Sequence, residues 1–537
     1  MQSKLPPFIL CSLALALAGC GGSDPAPAAA VPPTPAPVDN TPYYQTKTSY
    51  LPQQDAATYE APPAGYTAVF TELVARHGSR GLSGVKYDAA MYNIWQKAAA
   101  DGALTALGAQ LGPDILKIMK ANALLGYGVD GIGTPGYGNL SQAGINEHKQ
   151  LAVRMRTRMA ALFDQVAANA AAAPRQIVLV SSGVDRAKDS AANFSKSLVA
   201  AAPALASLVT LPPAPAPYPA GAPVTQPAGT DRFTLYFHAL KEATDKVVDP
   251  ADPRYQTYQD SQAYQAYLLS ADYQAKIAAI ATDANAKVVA RTLLERLFTK
   301  AFVDKIDNGT YKFANTGSYS FISDDGKFNP TVSGDGKTTV TSLVDAASML
   351  YNLYVITPGM KNELNFDFTQ YMPSAQAKYL AYLQDREDFY KQGPSFTESN
   401  GVTYKMAQGL EDDFFKEVDA IEKGQLTHAA KLRFTHAEII IPFASKMGLK
   451  NVIVPLPKAE NYSYDNSVWR GEYVAPMASN MQWDVFRNSA GKVLVKMLYN
   501  EKETDFKAAC DGAKVTATSH YYDYTKLKAC YQHVTAP

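Results

Sequence analysis

Hydrophobic positions cluster in four short stretches that read as β-strands. Tyr66–Val74 interleaves β-branched and aromatic residues with polar ones. Gln176–Val180 is a brief apolar run of the kind buried on both faces of a parallel sheet. Lys431–Thr435 and Val493–Tyr499 repeat the pattern late in the chain. Helical spacing fills the gaps. Ser141–Asn169 precedes the second strand, Asp185–Ala200 follows it, and Ile439–Met447 follows the third. Strand, helix and strand in this order predict an α/β fold with a doubly wound, mostly parallel sheet.

The middle of the chain changes character. Ala201–Gly229 is rich in Pro and Ala and reads as a long loop. Asp231–Ala301, Ser342–Leu353 and Ala375–Tyr390 have helical spacing. Turn signals at Asp324-Asp325-Gly326 and Gly334-Asp335-Gly336 place a hairpin between Phe313 and Val340. The pattern predicts an α/β domain in two parts, residues 66–200 and 429–537, interrupted by a mainly helical insertion over 201–428. Tyr255, Tyr258, Tyr264, Tyr267 and Tyr273 fall at helical spacing and are expected in its core.

The N-terminus reads as an address. Residues 1–19 have the form of a signal peptide, with one early lysine and an apolar run, Phe8–Ala18, too short to span a bilayer. The run ends in Leu17-Ala18-Gly19-Cys20, which resembles a bacterial lipoprotein processing box and implies a lipid on Cys20. Gly21 and Gly22, rather than Asp, follow the cysteine, which by the sorting rule for such lipoproteins favours the outer membrane. Residues 20–65 are then expected to be anchor and Pro/Ala-rich tether. The cell envelope is the expected location, facing periplasm or exterior. There an oxidising environment would let Cys510 and Cys530 pair, the alternative being two free buried thiols.

Composition narrows the chemistry. The 537 residues carry 50 Lys and Arg against 50 Asp and Glu, so no global field draws the protein to nucleic acid. An anionic ligand must be met by a local cluster of cations. One candidate is Arg76-His77-Gly78-Ser79-Arg80, directly after the first strand, where ligands bind in open α/β sheets. Arginine forks match phosphate oxygens two at a time, and neutral imidazole is a good nucleophile. Ser181-Ser182-Gly183-Val184-Asp185-Arg186 brings another arginine past the second strand. His436-Ala437-Glu438 places a histidine and a carboxylate past the third. Other motifs carry less. Gly131-Ile132-Gly133-Thr134-Pro135-Gly136 spells a dinucleotide fingerprint, but no strand precedes it and a proline interrupts it. No CxxC pair is present to support a cysteine zinc site.

These three segments together resemble the histidine acid phosphatase family, the branch of the histidine phosphatase superfamily with a large insertion. Gly138–Gly144 through His148, the run Arg186 to Phe194, and Ala475–Asn480 with Val493–Glu501 resemble further stretches of its pattern. The His-Ala-Glu form is similar to the multiple inositol-polyphosphate phosphatase subgroup. The resemblance implies a phosphoglycerate-mutase-like α/β domain with a helical cap. It assigns His77 as nucleophile, Glu438 as proton donor, and Arg76, Arg80, Arg186 and His436 as phosphate contacts. It implies phosphomonoester hydrolysis without metal or cofactor, with inositol polyphosphates such as phytate as expected substrate. A broad acid phosphatase on sugar phosphates, a non-catalytic phosphate binder and a phosphotransferase are the alternatives. Gly81-Leu82-Ser83 departs from the usual x-P-T continuation, which bears on substrate preference. Lys86 and Lys188 are candidates for additional charge near the pocket.

Overall fold

The computed structural model describes residues 41–215, 226–450 and 452–534. Residues 1–19 and Cys20 lie outside the described residues, as does the tether to residue 40. An eight-stranded sheet organises the chain. Its strands are β1 (Tyr66–Arg76), β2 (Gln176–Ser181), β3 (Val209–Thr210), β4 (His428–Thr435), β5 (Asn480–Asn488), β6 (Val493–Tyr499), β7 (Lys502–Glu503) and β8 (Tyr521–Asp523). The order is β7-β6-β5-β1-β4-β2-β3, with β8 also pairing β6. The strands β1, β4, β2 and β3 pair in parallel, and β5 joins β1 from the other side in antiparallel fashion.

Both faces of the sheet are covered, which accounts for the continuous apolar character of its central strands. On one face Leu73, Ala75, Leu179 and Leu432 pack with Phe163, Leu151 and Phe194. These belong to helices α1 (Gln142–Arg158), Ala160–Ala168 and α2 (Asp185–Ala200). On the other, Phe70, Val74 and Val180 meet Phe414, Trp483 and the helix α5 (Ala437–Lys446) through Ile440 and Phe443. Each large side chain so buried contributes roughly 1.5–3 kcal/mol.

A second core belongs to the helical part, and it gathers residues from two distant stretches. Leu82, Met91, Ile94 and Leu111 pack with Leu293, Phe298, Leu350 and Tyr371. Helices Tyr87–Ala100 and Ala106–Ala123 therefore join α3 (Leu343–Ile356) and α4 (Ser374–Lys391), although residues 66–200 were expected in the α/β part alone. Conversely, Gln408–Glu422 packs on the sheet through Phe414 and Phe415. Amphipathic spacing specifies a helix; it does not specify which core receives its apolar face. Tyr258, Tyr264, Tyr267 and Tyr273 are buried as expected, and Tyr255 is half-buried. The expected hairpin is a nested pair, Phe313–Ala314 with Thr339–Val340 and Ser318–Ser320 with Thr331–Ser333.

The segment 41–65 is part of the body and not tether. Tyr50 is buried and its hydroxyl donates to Glu501 at 2.9 Å. Tyr59 donates to the Glu501 carbonyl at 2.6 Å, and Tyr44 packs on Tyr354. The aromatic residues of this stretch supply apolar area that a tether would leave in water. At the other end Cys510 and Cys530 form a disulfide across a separation of 20 residues. A loop of that size gives about 3 kcal/mol of stabilisation in the chain-entropy view.

Candidate active site

Register decides which side chains meet. Arg76 stands opposite Thr435 across the β1–β4 pair, and Ser181 stands opposite Phe434 across β2–β4. Three parallel strands thus end level with one another. His77, Ser182 and His436 leave them as neighbours at the carboxyl edge, where an open α/β sheet has its crevice. The His77 and His436 rings lie 5.4 Å apart between centroids. A cavity of about 380 Å³ opens here, lined by Arg76, His77, Arg80, Arg186 and Glu438 among others.

The loop after β1 is held with little freedom. The His77 N–H donates to the Thr435 carbonyl at 2.8 Å, and Arg76 N–H donates to Ser479 at 2.8 Å. Helix α1 presses its first turn against the loop. A side chain at Gly78 would bring Cβ within 2.4 Å of the Gly144 carbonyl oxygen, and one at Gly144 within 2.0 Å of that of Ser79. The two glycines exist in this motif because two backbones touch. From the same helix Glu147 accepts from Ser79 N–H at 2.6 Å and from the Ser79 hydroxyl at 2.8 Å. His148 donates through Nε2 to the Arg76 carbonyl at 3.1 Å.

His77 presents one open ring nitrogen. Its Nδ1 lies 2.9 Å from the Gly78 carbonyl oxygen, which can only accept. Nδ1 therefore carries the proton, and the lone pair remains on Nε2. Burial, then Arg186, Arg76, His436 and Arg80, hold the imidazole well below its ordinary pKa, so the ring is neutral at physiological pH. His436 is orientated from both sides. Arg186 Nη2 donates to Nδ1 at 3.2 Å, and Nε2–H then donates to Ser182 Oγ at 2.8 Å. His436 thus fixes the position of Arg186 and is itself fixed by Ser182.

The three arginines remain cationic. Burial followed by neighbouring guanidinium groups lowers Arg80 to about 9; burial and Arg186 lower Arg76 to about 10, although Glu438 opposes this. Arg76 Nη1 donates to the Thr46 and Ala475 carbonyls, the latter at 2.6 Å. The Nε atoms of Arg76, Arg80 and Arg186 are buried without a partner. Buried donors left open around one cavity fit an anion with several acceptor oxygens.

Glu438 lies in the first turn of α5. Burial pushes its carboxyl up, but His238, His436, the Glu438 N–H and Arg76 outweigh burial and hold it well below the usual carboxylate range. Glu438 is therefore ionised.

The structure brings Arg76, His77, Arg80, Arg186 and Glu438 to one cavity, with His436 packed against His77 and Arg186, while Cys20 lies outside the described residues. It also adds residues that carry no motif. Lys47 comes from the N-terminal segment, His238 from the insertion, and Glu387, Asp388 and Lys391 from the end of α4. His238 has a buried, unpartnered Nδ1, and its ring packs 4.7 Å from Tyr236, which in turn contacts His436. Tyr264, expected as core, also lines the cavity. Lys86 and Lys188 do not contribute to this wall, and Lys188 pairs with Asp185 at 2.7 Å.

Known proteins resemble this chain in sequence and in fold. The sequence profile of the histidine phosphatase superfamily (branch 2) matches residues 70–500. The structure is similar to that of Bifidobacterium longum multiple inositol polyphosphate phosphatase in complex with inositol hexasulfate. The two share 34% identity and a TM-score of 0.78, over 92% of this chain and 99% of that one. The phosphate complex of the same bacterial protein superposes with a TM-score of 0.79 at 33% identity, again over 92% and 99%. Human multiple inositol polyphosphate phosphatase 1 is 29% identical over 133 residues, which are 24% of this chain. That match spans 27% of the human protein's length.

Proposed function

The chain belongs to branch 2 of the histidine phosphatase superfamily, and from that premise we propose that it is a phosphoric monoester hydrolase acting on inositol polyphosphates through a covalent phosphohistidine. The observation that carries the reading is the neutral His77 ring, with its Nε2 lone pair free, inside a cluster of three arginines with open buried donors. The B. longum relative, bound to inositol hexasulfate, supports the substrate class.

In this reading Arg76, Arg80 and Arg186 clamp the phosphoryl oxygens and spread their charge. His77 Nε2 bonds to phosphorus as the bond to the ester oxygen breaks. Glu438 gives that oxygen a proton. The ionised carboxylate of Glu438 is consistent with this role. An arriving phosphate offsets Arg76 and places negative charge beside the carboxylate, so its proton affinity rises on binding. Water then attacks phosphorus, the P–N bond breaks, and Glu438 recovers a proton from the water. The arginines supply the positive charge that the transferring group needs.

We further propose that the protein is a lipoprotein of the cell envelope. The Leu17–Cys20 motif is the basis for this, and the Cys510–Cys530 disulfide is compatible with an oxidising compartment.

The deciding experiment measures phosphate release from inositol hexakisphosphate and from an aryl phosphate by the purified protein, His77→Ala and Glu438→Gln. Loss of the nucleophile should lower the rate by about 1,000-fold or more on both substrates. Glu438→Gln should cost about 100- to 10,000-fold on the inositol ester and far less on the aryl ester, whose leaving group needs little protonation. Retained activity in His77→Ala would remove the phosphohistidine mechanism. A wild type that spares inositol hexakisphosphate but cleaves the aryl ester would favour a broad acid phosphatase.

A further inference from the structure

His238 lines the catalytic cavity from the insertion and has no part in the arginine clamp. Its backbone is pinned from two directions. Thr435, the last residue of β4, donates its hydroxyl to the Leu235 carbonyl at 2.6 Å. Ser261 and Gln265, one turn apart on the helix Tyr255–Leu268, donate to the Phe237 and His238 carbonyls, each at 2.6 Å. The ring packs edge-on against Tyr236 at 4.7 Å, and the Arg232 guanidinium covers Tyr236 at 4.8 Å. A histidine held in this way presents its ring nitrogens in fixed directions.

The two nitrogens meet different surroundings. Nδ1 is shut away from solvent without a partner, so Nε2 is the nitrogen that opens on the cavity. With no acceptor beside Nδ1, the proton of the neutral ring belongs on Nε2, where an N–H can be satisfied. Burial holds the imidazole below its ordinary pKa; Glu438 opposes this, while Lys391, Arg232 and Arg186 reinforce it. The ring is therefore neutral at pH 7, with one N–H directed into the cavity. Glu438 lines the same cavity. Among the described residues no side chain donates to its carboxylate, and none pairs with the His238 ring. A donor without an acceptor and a carboxylate bonded to its own N–H thus share one wall. One water can bridge such a pair, accepting from the first and donating to the second.

We propose that His238 is a catalytic residue of the second half-reaction, its Nε2–H holding the water that releases phosphate from His77. This rests on the reading of a phosphohistidine intermediate. The water accepts from His238 and points one O–H at Glu438, which leaves a lone pair for phosphorus. Its oxygen bonds to phosphorus as the P–N bond breaks and the bonding pair returns to His77 Nε2. One proton of the water passes to Glu438, the other stays on the released phosphate, and His238 keeps its own. Glu438 is held ionised and is a weak base, so orientation of the water carries more of the step. In the first half-reaction the departing ester oxygen takes the place of the water. An aryl oxide needs little help there, so an aryl ester isolates the second step.

The test follows aryl phosphate turnover by the full chain in stopped flow, with alkaline quenching to trap phosphate bound to the protein. The first turnover reports formation of the phosphohistidine and the steady phase its breakdown. His238→Leu should leave formation within a few-fold of wild type and slow breakdown about tenfold, the size of one lost hydrogen bond. A burst of aryl alcohol close to stoichiometric with the enzyme should then appear, and trapped phosphate should rise with it. His238→Gln, whose amide N–H can stand in for Nε2–H, should restore most of the breakdown rate, which a folding defect would not allow. Equal losses in formation and breakdown, or breakdown in His238→Leu as fast as in the wild type, would overturn the role. The intermediate is decided separately. If no phosphate is trapped on any of the three proteins, the phosphohistidine reading fails and takes this role with it; phosphate trapped on the wild type without a rise in His238→Leu refutes His238 alone.

Discussion

Gly144 is far from the reacting atoms in sequence, yet Gly144→Ala should disable the enzyme. The added Cβ would lie 2.0 Å from the Ser79 carbonyl oxygen and 2.7 Å from its nitrogen. Ordinary contact begins near 3.4 Å, so about 1.4 Å (3.4 less 2.0) must be found. The obstructing atoms are backbone and cannot swing aside, so α1 has to retreat from the loop that carries His77. Retreat pulls on Glu147, which holds Ser79, and on His148, which holds the Arg76 carbonyl. Overpacking of this kind costs about 1–3 kcal/mol of stability. A shift of about 1 Å in catalytic groups costs on the order of 100-fold in rate. Thermal unfolding and aryl phosphate turnover read the two effects on one sample. Gly512→Ala is the control, because nothing lies within 4 Å of its added Cβ. If Gly144→Ala melts with the wild type and turns over within a few-fold of it, the loop tolerates displacement and the argument from backbone contact fails.

The parts of the site that were legible in the sequence share one property. Arg76, His77, Ser182, His436 and Glu438 each stand within a few residues of a strand end whose apolar run can be read directly. A parallel sheet then does the long-range work, because level strand ends bring short motifs together whatever lies between them. Lys47 has no such anchor. It is placed by a carbonyl-to-guanidinium bond 30 residues away and by a side-chain bond from Gln45 to Asp388 across 343 residues. Proline and alanine upstream disguise the segment as tether, and Tyr43, Tyr44 and Tyr50 were the one signal that it folds. His238 is a lone histidine in a stretch without pattern, carried to the pocket by the packing of Tyr236 against His436 and by bonds from Thr435, Ser261 and Gln265 to the Leu235, Phe237 and His238 carbonyls. The helices over Tyr87–Ala123 were hidden for another reason: period announces an apolar face, while the partner for that face, Leu293 to Tyr371, lies about two hundred residues on.

Two further expectations concern the anchor and acid stability. Cys20→Ala should move the protein from the membrane fraction to the soluble fraction of the envelope, read by fractionation; an unchanged distribution would remove the lipoprotein reading. His148 supplies the second. Burial lowers its pKa from 6.5 to about 3, and Nδ1 has no partner in the folded protein. Between those values the unfolded chain binds a proton at this position and the folded one does not. Stability conferred by the neutral ring is therefore complete above pH 6.5 and is lost progressively as pH falls toward 3. By pH 4 the loss is about 3 kcal/mol, at about 1.4 kcal/mol for each unit below 6.5. His148→Gln keeps a donor for the Arg76 carbonyl and removes the titration, so it should be less stable than wild type at pH 7 but lose less on acidification. Urea unfolding midpoints at pH 7, 5.5 and 4 measure the difference. His77 and His436 are displaced in the same direction and contribute equally to both proteins, so they leave the comparison intact. Parallel midpoints for the two proteins across that range would mean that His148 is protonated in the fold and that the bond to Arg76 is made by a charged ring.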